Sequence, residues 1–335
     1  MNQLHNAFTL FMSLLVEAMP FLLLGVVLSS LLLVFIDERQ LITKLPHNPV
    51  LGSLIGSCIG FLFPVCECGN VPVARRLLMQ GVPSSVAIGF LLAAPTINPI
   101  VIWSTWVAFR DQPAIVLLRV LFSLIIAIVI SLVFGLQKDP QPLLQPLVAR
   151  RRRSLMSRFL SIEKPQPVSA LLQSGTYFLG QSEPLTELAT AIAPSSGKGR
   201  SQQRRDVFVN NVVQELRELG GMLILGSAIA ALIQVFVPRE LVLSLGQGTL
   251  SSVVTMMLLA ALVSICSTVD AFFALSFAAT FTTGSLLAFL VFGPLIDLKS
   301  IGLMLSIFKP RIVLYLFVLA AQLTFILALS YSYFL

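Results

Sequence analysis

The chain has 335 residues, of which 56% are hydrophobic and only 11% are charged, whereas charged residues make up about 25% of an average soluble domain. This composition excludes an ordinary soluble domain and indicates a polytopic membrane protein. The formal net charge is +7, but more than half of the 22 Lys and Arg residues lie between Lys138 and Arg217, so the charge belongs mainly to one segment and does not indicate binding to nucleic acid.

The N-terminal sequence MNQLHNAF has neither the basic stretch nor the cleavage site of a signal peptide, so we expect the first hydrophobic segment to be retained. Four cysteines in a long membrane chain also differ from the dense disulfide framework of a small secreted domain.

About eight segments approach the roughly 20 apolar residues that a transmembrane helix needs. In chain order they are residues 18–36, 50–66, 84–109, 113–136, 219–237, 250–269, 284–308 and 312–333. Arg119 lies near the start of the fourth segment, where its side chain can extend to the membrane surface. Asp297 and Lys299 interrupt the seventh segment. The predicted fold is all-α, with about eight transmembrane helices.

Residues 137–217 separate the eight segments into two groups of four. This stretch contains seven prolines, the basic run RRRR and the tract PSSGKGRSQQRR, a composition that predicts a largely irregular linker. Its Lys and Arg residues near the membrane favour the cytoplasmic side. The predicted domains are therefore 1–136 and 218–335, two transmembrane repeats, joined by the basic linker 137–217.

The two groups resemble each other in sequence. EAMPFLLLG, beginning at Glu17, matches ELGGMLILG, beginning at Glu218; Cys66 matches Cys266; and APTIN at 94–98 matches GPLID at 293–297. The offset stays between 199 and 201 residues, which predicts an internal duplication. Internal repeats are common in transporters, whose binding sites lie near the bilayer midplane at the repeat interface.

The direction of the two repeats depends on how many times each half crosses the membrane. Four crossings per half predict parallel repeats, and the lengths of the segments favour this arrangement. If one segment per half is re-entrant, each half crosses three times and the repeats are inverted.

The stretch FPVCECGNVPVARR follows the second apolar segment directly. Because Pro and Gly surround the two cysteines, we expect extended backbone, in which Cys66 and Cys68 share a face and Glu67 points away. Two thiols at this spacing can chelate one soft centre or form a disulfide. The match to Cys66 predicts that Cys266 lies close to the pair and supplies a third sulfur.

Cys58 has a more ordinary interpretation. It lies within GSLIGSCIG, where Gly52, Gly56 and Gly60 recur at every fourth position. This spacing of small residues is typical of close helix packing.

Polar residues at the breaks in the apolar segments form the rest of the predicted site. Carboxylates inside a membrane are costly and are functional candidates by default, although interfacial carboxylates, a capped kink at Asn98 and a local turn at Asn70 are the structural alternatives. The predicted substrate-binding residues are Cys66, Cys68, Asn70, Asn98, Cys266, Asp270 and Asp297; the ion-coupling or gating residues are Glu67, Pro95 and Pro294; and the candidate ligands of a soft metal or metalloid are Cys66, Cys68 and Cys266.

These motifs resemble a known family. An eight-segment chain with Cys-x-Cys-Gly at 66–69, Pro-Thr-x-Asn-Pro at 95–99 and a long basic central loop is similar to the ArsP-like predicted permease family, which includes bacterial trivalent organoarsenical efflux permeases. The resemblance covers residues 8–136 and 215–333. It implies an inner-membrane permease whose paired cysteines handle a thiophilic solute. Glu67 stands where that family often has a small neutral residue, and suits a cationic metal or a proton-coupled step.

We therefore predict a multi-pass protein of the bacterial inner membrane that is a secondary active transporter rather than an enzyme. It exports a trivalent organoarsenical or a soft metal or metalloid, held by paired cysteines at the repeat interface. The sequence lacks a nucleotide-binding signature such as GxxxxGK[ST], so an ion gradient or another subunit supplies the energy. The expected partners are the solute and the lipid bilayer, with homo-oligomerisation left open, and no cofactor is predicted.

Two other functions are alternatives to transport. A membrane thiol-disulfide oxidoreductase would use Cys66 and Cys68 as its redox pair, but it hardly needs two repeats with matched breaks at Pro95 and Pro294. A channel or structural subunit is the third interpretation, for which the sequence offers no filter-like motif.

Overall fold

The computed structural model describes residues 2–35, 48–63, 66–136, 144–145, 200–236, 248–278 and 280–334. These residues are mostly helical and form no β-strand, apart from an isolated bridge between Leu144 and Phe308. The predicted all-α class is confirmed. Most of the predicted linker, 137–217, lies outside the described residues.

The described chain contains six α-helices in each half. The first half contains α1 (Asn2–Phe35), α2 (Pro49–Ile59), α3 (Glu67–Met79), α4 (Ser84–Ile97), α5 (Pro99–Ala108) and α6 (Pro113–Gly135). The second half contains α7 (Arg200–Phe236), α8 (Thr249–Val263), α9 (Asp270–Leu275), α10 (Thr283–Leu295), α11 (Leu298–Met304) and α12 (Pro310–Phe334).

Five stretches of the described chain are long and apolar enough to span a membrane: His5–Leu31, Ser84–Ala108, Pro113–Gly135, Thr283–Met304 and Pro310–Tyr333. The protein is therefore a multi-pass membrane protein. In contrast, α2 and α8 are apolar but only 11 and 15 residues long. At about 1.5 Å per residue they reach about 16 and 22 Å, short of a hydrocarbon core of about 30 Å. Two of the eight predicted segments thus lack transmembrane length.

Helix α7 begins at Arg200, inside the segment that was expected to be an irregular linker, and continues for 37 residues. No Pro or Gly occurs between Arg200 and Leu219, so nothing interrupts the helical hydrogen bonds there. The linker prediction is corrected at this end. A helix of this length extends about 55 Å, well beyond the thickness of the hydrocarbon core.

Helices α1 and α7 pack against each other in opposite directions. Ser29, near the end of α1, donates a hydrogen bond of 3.1 Å to Glu215 in the first half of α7. Leu14, earlier in α1, packs with Ala230 and Ala231, later in α7. A contact that lies earlier along α1 lies later along α7, so the two helices are antiparallel.

Helix α2 lies directly against α4 through its glycines. A Cβ atom at Gly56 would lie 2.7 Å from Cα of Val86, and one at Gly60 would lie 2.7 Å from Cα of Ala94. Only glycine allows backbones to approach this closely. The close packing predicted from the glycine spacing is confirmed. Because these contacts advance in the same direction along both helices, α2 and α4 are parallel.

The second half repeats this contact at matched positions. Ser252 of α8 and Ser285 of α10 are hydrogen-bonded at 2.6 Å, and a Cβ at Gly293 would lie 3.7 Å from Cβ of Ala260. In the first half, a Cβ at Gly52 would lie 2.7 Å from Ser85 Oγ. Helices α8 and α10 are therefore parallel, like α2 and α4.

A tight turn reverses the chain between α3 and α4. Gly81 has φ 90, the left-handed conformation that glycine adopts without strain. The N–H of Gly81 donates to Leu78 and that of Val82 donates to Leu77, at 3.2 and 3.1 Å, which is the hydrogen-bond pattern of a Schellman motif.

Candidate functional site

Cys66 is the N-cap residue of α3, with extended backbone at φ -77 and ψ 179. Glu67 and Cys68 follow in the first helical turn, where an acidic residue is favourable next to the positive end of the helix dipole. Pro72 is accommodated inside this buried helix. The extended conformation predicted for the cysteine pair is therefore wrong.

Two contacts hold α3 in place. On one side, Gly25 of α1 packs on the backbone of Gly69, so closely that a Cβ at Gly25 would lie 2.6 Å from Cα of Gly69. Farther along α3, Arg75 forms an ion pair of 2.6 Å with Glu218 of α7. The antiparallel helices α1 and α7 thus form the support against which α3 presents its N-terminus.

Cys266 lies in the connection between α8 and α9. Ser264 is the C-cap residue of α8 and adopts the left-handed conformation at φ 48 and ψ 42, which is unusual for a residue with a side chain. The carbonyl of Cys266 then accepts hydrogen bonds from the N–H groups of Val269 and Asp270, at 2.9 and 3.0 Å. Thr268 donates from Oγ1 to the Cys266 sulfur at 3.5 Å.

These two connections bring Cys66, Glu67 and Cys266 together. Their two sulfurs and one carboxylate oxygen all lie within 4.8 Å of one another. The three residues are only 3–5% exposed. Oε2 of Glu67 is buried and has no hydrogen-bond partner within the described chain. We refer to Cys66, Glu67 and Cys266 as the Cys–Glu–Cys cluster.

Cys68 stays outside this cluster, although it is buried as well. The predicted ligand set had Cys68 as a member and Glu67 pointing away. Helical backbone explains the difference, because residues two positions apart in a helix point to nearly opposite sides. The group that the fold assembles contains two sulfurs and one carboxylate.

Further polar side chains surround the cluster. Asn70 follows Glu67 by one helical turn, is fully buried, and has no hydrogen-bond partner for either side-chain atom within the described ranges. Lys299 of α11 is 1% exposed and lies near the carboxyl groups of Asp297 and Glu67. Lys299 was not among the predicted site residues; the signal that could have identified it was its charge inside an apolar segment.

Asp297 and Asn98 occupy matched positions as helix caps. Oδ1 of Asp297 accepts from Ser300 N–H at 2.6 Å at the start of α11, whereas its Oδ2 is buried without a partner in the described part of the chain. Oδ1 of Asn98 accepts from Val101 N–H at 2.8 Å, and its Nδ2 donates to the Ala94 carbonyl at 3.3 Å. The geometry favours the capping role for Asn98 over substrate binding.

Pro95 and Pro294 lie in the last turns of α4 and α10, which end at Ile97 and Leu295. The predicted breaks in these two segments are confirmed. A role of either proline in gating stays a prediction.

Asp270 forms a buried ion pair with Arg119 of α6. Arg119 Nη1 donates to Oδ1 at 3.1 Å and Nη2 donates to Oδ2 at 2.6 Å. Nη1 also donates to Thr105 Oγ1 of α5 at 2.7 Å. Arg119 is 1% exposed, so the prediction that it extends to the membrane surface is wrong. Both oxygens of Asp270 are engaged, which favours a structural role over the predicted role in substrate binding.

Comparison with known proteins gives consistent matches over nearly the whole chain. Residues 3–333 match the model of the ArsP_1 family, described as predicted permease. The UPF0718 protein YcgR of Bacillus subtilis (strain 168) is 35% identical over 305 residues, covering 91% of this chain and 90% of the relative. A putative two-component membrane permease complex subunit of Streptococcus mutans serotype c is 33% identical over 305 residues, covering 91% and 88%. No solved structure has significant similarity.

Proposed function

The chain belongs to the ArsP-like family of predicted permeases, and from this premise we propose that it carries a small thiophilic solute across the membrane. The observation that supports this substrate class is the pairing of Cys66 with Cys266, one from each half of the chain, in a buried position. Sulfur ligands select soft centres such as Cu(I) or trivalent arsenicals. The solute is thus a soft metal or metalloid species or a trivalent organoarsenical, exported by secondary active transport.

The arrangement that fits this function is a pair of inverted repeats, 1–136 and 218–335, joined by the cytoplasmic segment 137–217. Glu17 of α1 matches Glu218 of α7 in sequence, and these two helices are antiparallel. Corresponding helices of parallel repeats would run in the same direction. Inverted repeats whose sites lie at their interface are a recurrent design of secondary transporters.

Each repeat then crosses the membrane three times. Helices α2 and α3 form a first re-entrant hairpin, because α2 is short and parallel to α4 while the turn at Gly81 reverses α3 into α4. Helices α8 and α9 form the second hairpin in the same way. Cys66 and Cys266 lie at the two tips, so the hairpins enter from opposite sides and meet at the Cys–Glu–Cys cluster. Alternating access opens this point to one side at a time.

Labelling of Arg311→Cys distinguishes this topology from eight crossings. Arg311 is exposed at the start of α12. Six crossings and two hairpins place it on the cytoplasmic side, together with Arg75 and the basic linker, as the positive-inside rule favours. Four crossings per half place it outside. In a Cys-free background, a membrane-impermeant maleimide should label Arg311→Cys only in everted vesicles.

Arg110→Cys is the matched control for the labelling experiment, since both topologies place this exposed residue outside. It should react in intact cells or right-side-out vesicles. Labelling of Arg311→Cys from the outside would contradict the inverted arrangement.

Transport itself is tested in everted vesicles that receive trivalent methylarsenite or Cd²⁺ in the external medium. The wild type should accumulate one of these solutes when a proton gradient is present. Cys66→Ser and Cys266→Ser should each reduce this uptake at least tenfold, because each removes one of two soft ligands. Cys58→Ser should keep it, since Cys58 is exposed and outside the cluster. Uptake unchanged by both cluster variants would reject the thiol-ligand role.

The oxidoreductase alternative is less well supported by the geometry. Cys66 and Cys68 are 3% and 1% exposed, so a soluble redox protein has no direct access to either sulfur. The sulfur that joins Cys66 in the cluster is Cys266 rather than Cys68.

A further inference from the structure

We infer that the transported solute has three exchangeable coordination positions, as a soft divalent metal ion or an inorganic trivalent metalloid has, and that Glu67 is its third ligand. This inference rests on the proposed function, because it concerns the substrate of the same site. It goes further by excluding a mono-organic arsenical as the preferred solute.

The distances in the Cys–Glu–Cys cluster fit three ligands around one centre. Metal–sulfur bonds are about 2.3 Å and metal–oxygen bonds about 2.0–2.2 Å long, so the donor atoms of a three-coordinate site lie about 4 Å apart. The two sulfurs and the oxygen lie within 4.8 Å of one another. They need to approach by less than about 1 Å to complete the site.

The third corner of the cluster decides between classes of solute. A methylated trivalent arsenical has two exchangeable positions, and its third position is a carbon that accepts no ligand and favours an apolar surrounding. Here the third corner is the carboxylate of Glu67, whose Oε2 is buried without a hydrogen-bond partner in the described chain. Burial of a carboxylate next to a methyl group is unfavourable because the carboxylate gains no polar partner. Coordination to a metal ion provides that partner.

Two neighbouring groups support a coordinated centre. Thr268 donates a hydrogen bond to the Cys266 sulfur at 3.5 Å, and a donor to a ligating sulfur stabilises its thiolate form. Asn70, on the same helix as Glu67, is fully buried with both side-chain atoms unpartnered in the described ranges. Its amide is free to orient the Glu67 carboxylate once a centre binds.

Binding involves no oxidation or reduction. Each cysteine gives up its thiol proton when its sulfur coordinates the centre. For a hydroxylated metalloid, the two thiol protons leave as water with two displaced hydroxyl groups, and the third hydroxyl group, which the Glu67 oxygen displaces, leaves as water with a proton from the Glu67 carboxyl group or from solvent. For a divalent metal ion, the thiol protons pass to solvent.

Cd²⁺ is the direct probe, because its coordination by thiolates gives an ultraviolet charge-transfer absorption. Purified full-length protein in detergent would be titrated with Cd²⁺, comparing the wild type with Glu67→Gln and with the double variant Cys66→Ser/Cys266→Ser. Glu67→Gln keeps the side-chain shape and replaces one carboxyl oxygen with an amide nitrogen. We expect it to weaken Cd²⁺ binding at least tenfold, and the double variant to abolish the thiolate absorption. Asp111→Asn, which alters an exposed carboxylate, should bind Cd²⁺ like the wild type.

Displacement of Cd²⁺ by arsenite and by methylarsenite completes the experiment. Glu67→Gln should weaken the binding of arsenite at least tenfold and leave that of methylarsenite within about twofold, which also shows that the variant retains an intact pair of thiols. Equal Cd²⁺ affinity in the wild type and Glu67→Gln would overturn the inference while the proposed function stands. Tighter binding of methylarsenite than of arsenite by the wild type would overturn it too. Failure of the wild type to bind any of the three probes would overturn both.

Discussion

Replacing Arg119 with methionine is expected to destabilise the protein by about 3–5 kcal/mol, because breaking a buried ion pair leaves the remaining charge without compensation. Both oxygens of Asp270 accept hydrogen bonds from Arg119, and no more than a few per cent of either side chain is exposed. Methionine fills a similar volume without a donor. The pair also joins the two halves of the chain, so the variant should lose both heat resistance and recovery after detergent extraction.

The double variant Arg119→Met/Asp270→Leu is the decisive comparison. It removes both charges, and a buried ion pair replaced by apolar residues of similar volume is often neutral or stabilising. We expect it to recover most of the stability lost in the single variant. Arg119→Lys should lie between the two, because an ammonium group lacks the planar fork of a guanidinium.

Thermal unfolding of the purified variants in one detergent provides the measurement. Arg110→Met removes an exposed arginine and should unfold like the wild type. Equal losses in Arg119→Met and in the double variant would show that shape, not charge pairing, matters at this position.

The second large effect is expected from Gly25→Ala. The added methyl group would meet Cα of Gly69 at 2.6 Å, a separation that real Cβ atoms do not adopt, so α1 and α3 must separate. Overpacking typically costs about 1–3 kcal/mol, and we expect the upper end because the atoms that the new methyl group meets belong to the backbone of Gly69. Since α3 carries Cys66 and Glu67, uptake of the solute should fall together with stability.

Gly221→Ala is the matched control on α7. A Cβ at Gly221 would meet nothing within 4 Å, and alanine is the better helix former by about 1 kcal/mol. This variant should be as stable as the wild type or slightly more so, with full uptake. A Gly25→Ala protein that unfolds at the wild-type temperature would refute the close contact between α1 and α3.

The sequence pattern predicted the meeting of Cys66 with Cys266 for a definable reason. Their offset of 200 residues agrees with the offsets of the two longer matches, and matched positions of a duplicated chain approach each other near the axis that relates the copies. The same pattern does not predict the ion pair of Arg119 with Asp270. These residues are 151 residues apart, so they do not occupy matched positions of the two halves.

Hydropathy located the membrane segments but overestimated how many of them form helices of transmembrane length in the described chain. Residues 60–66 and 264–269 are uncharged, so they extend the apolar runs of α2 and α8 to apparent transmembrane length. An apolar run shows only that its residues avoid water. A transmembrane span also needs a helix that continues across the hydrocarbon core. The reverse error occurs at α7, where Arg217 and Glu218 end the apolar run but leave the helix intact.

The ion pair of Arg119 also has an evolutionary consequence if the halves arose by duplication. Asp270 corresponds to Asn70 at an offset of 200, and Arg119 corresponds to Val318 at an offset of 199. Two copies of the first half would place a guanidinium against an amide, and two copies of the second half would leave Asp270 unpaired. On this account the copies have diverged: the first has Asn70, without a hydrogen-bond partner in the described chain, and the second has Asp270 in an ion pair. In that case neither half could replace the other at this ion pair, because each contributes one of its two members.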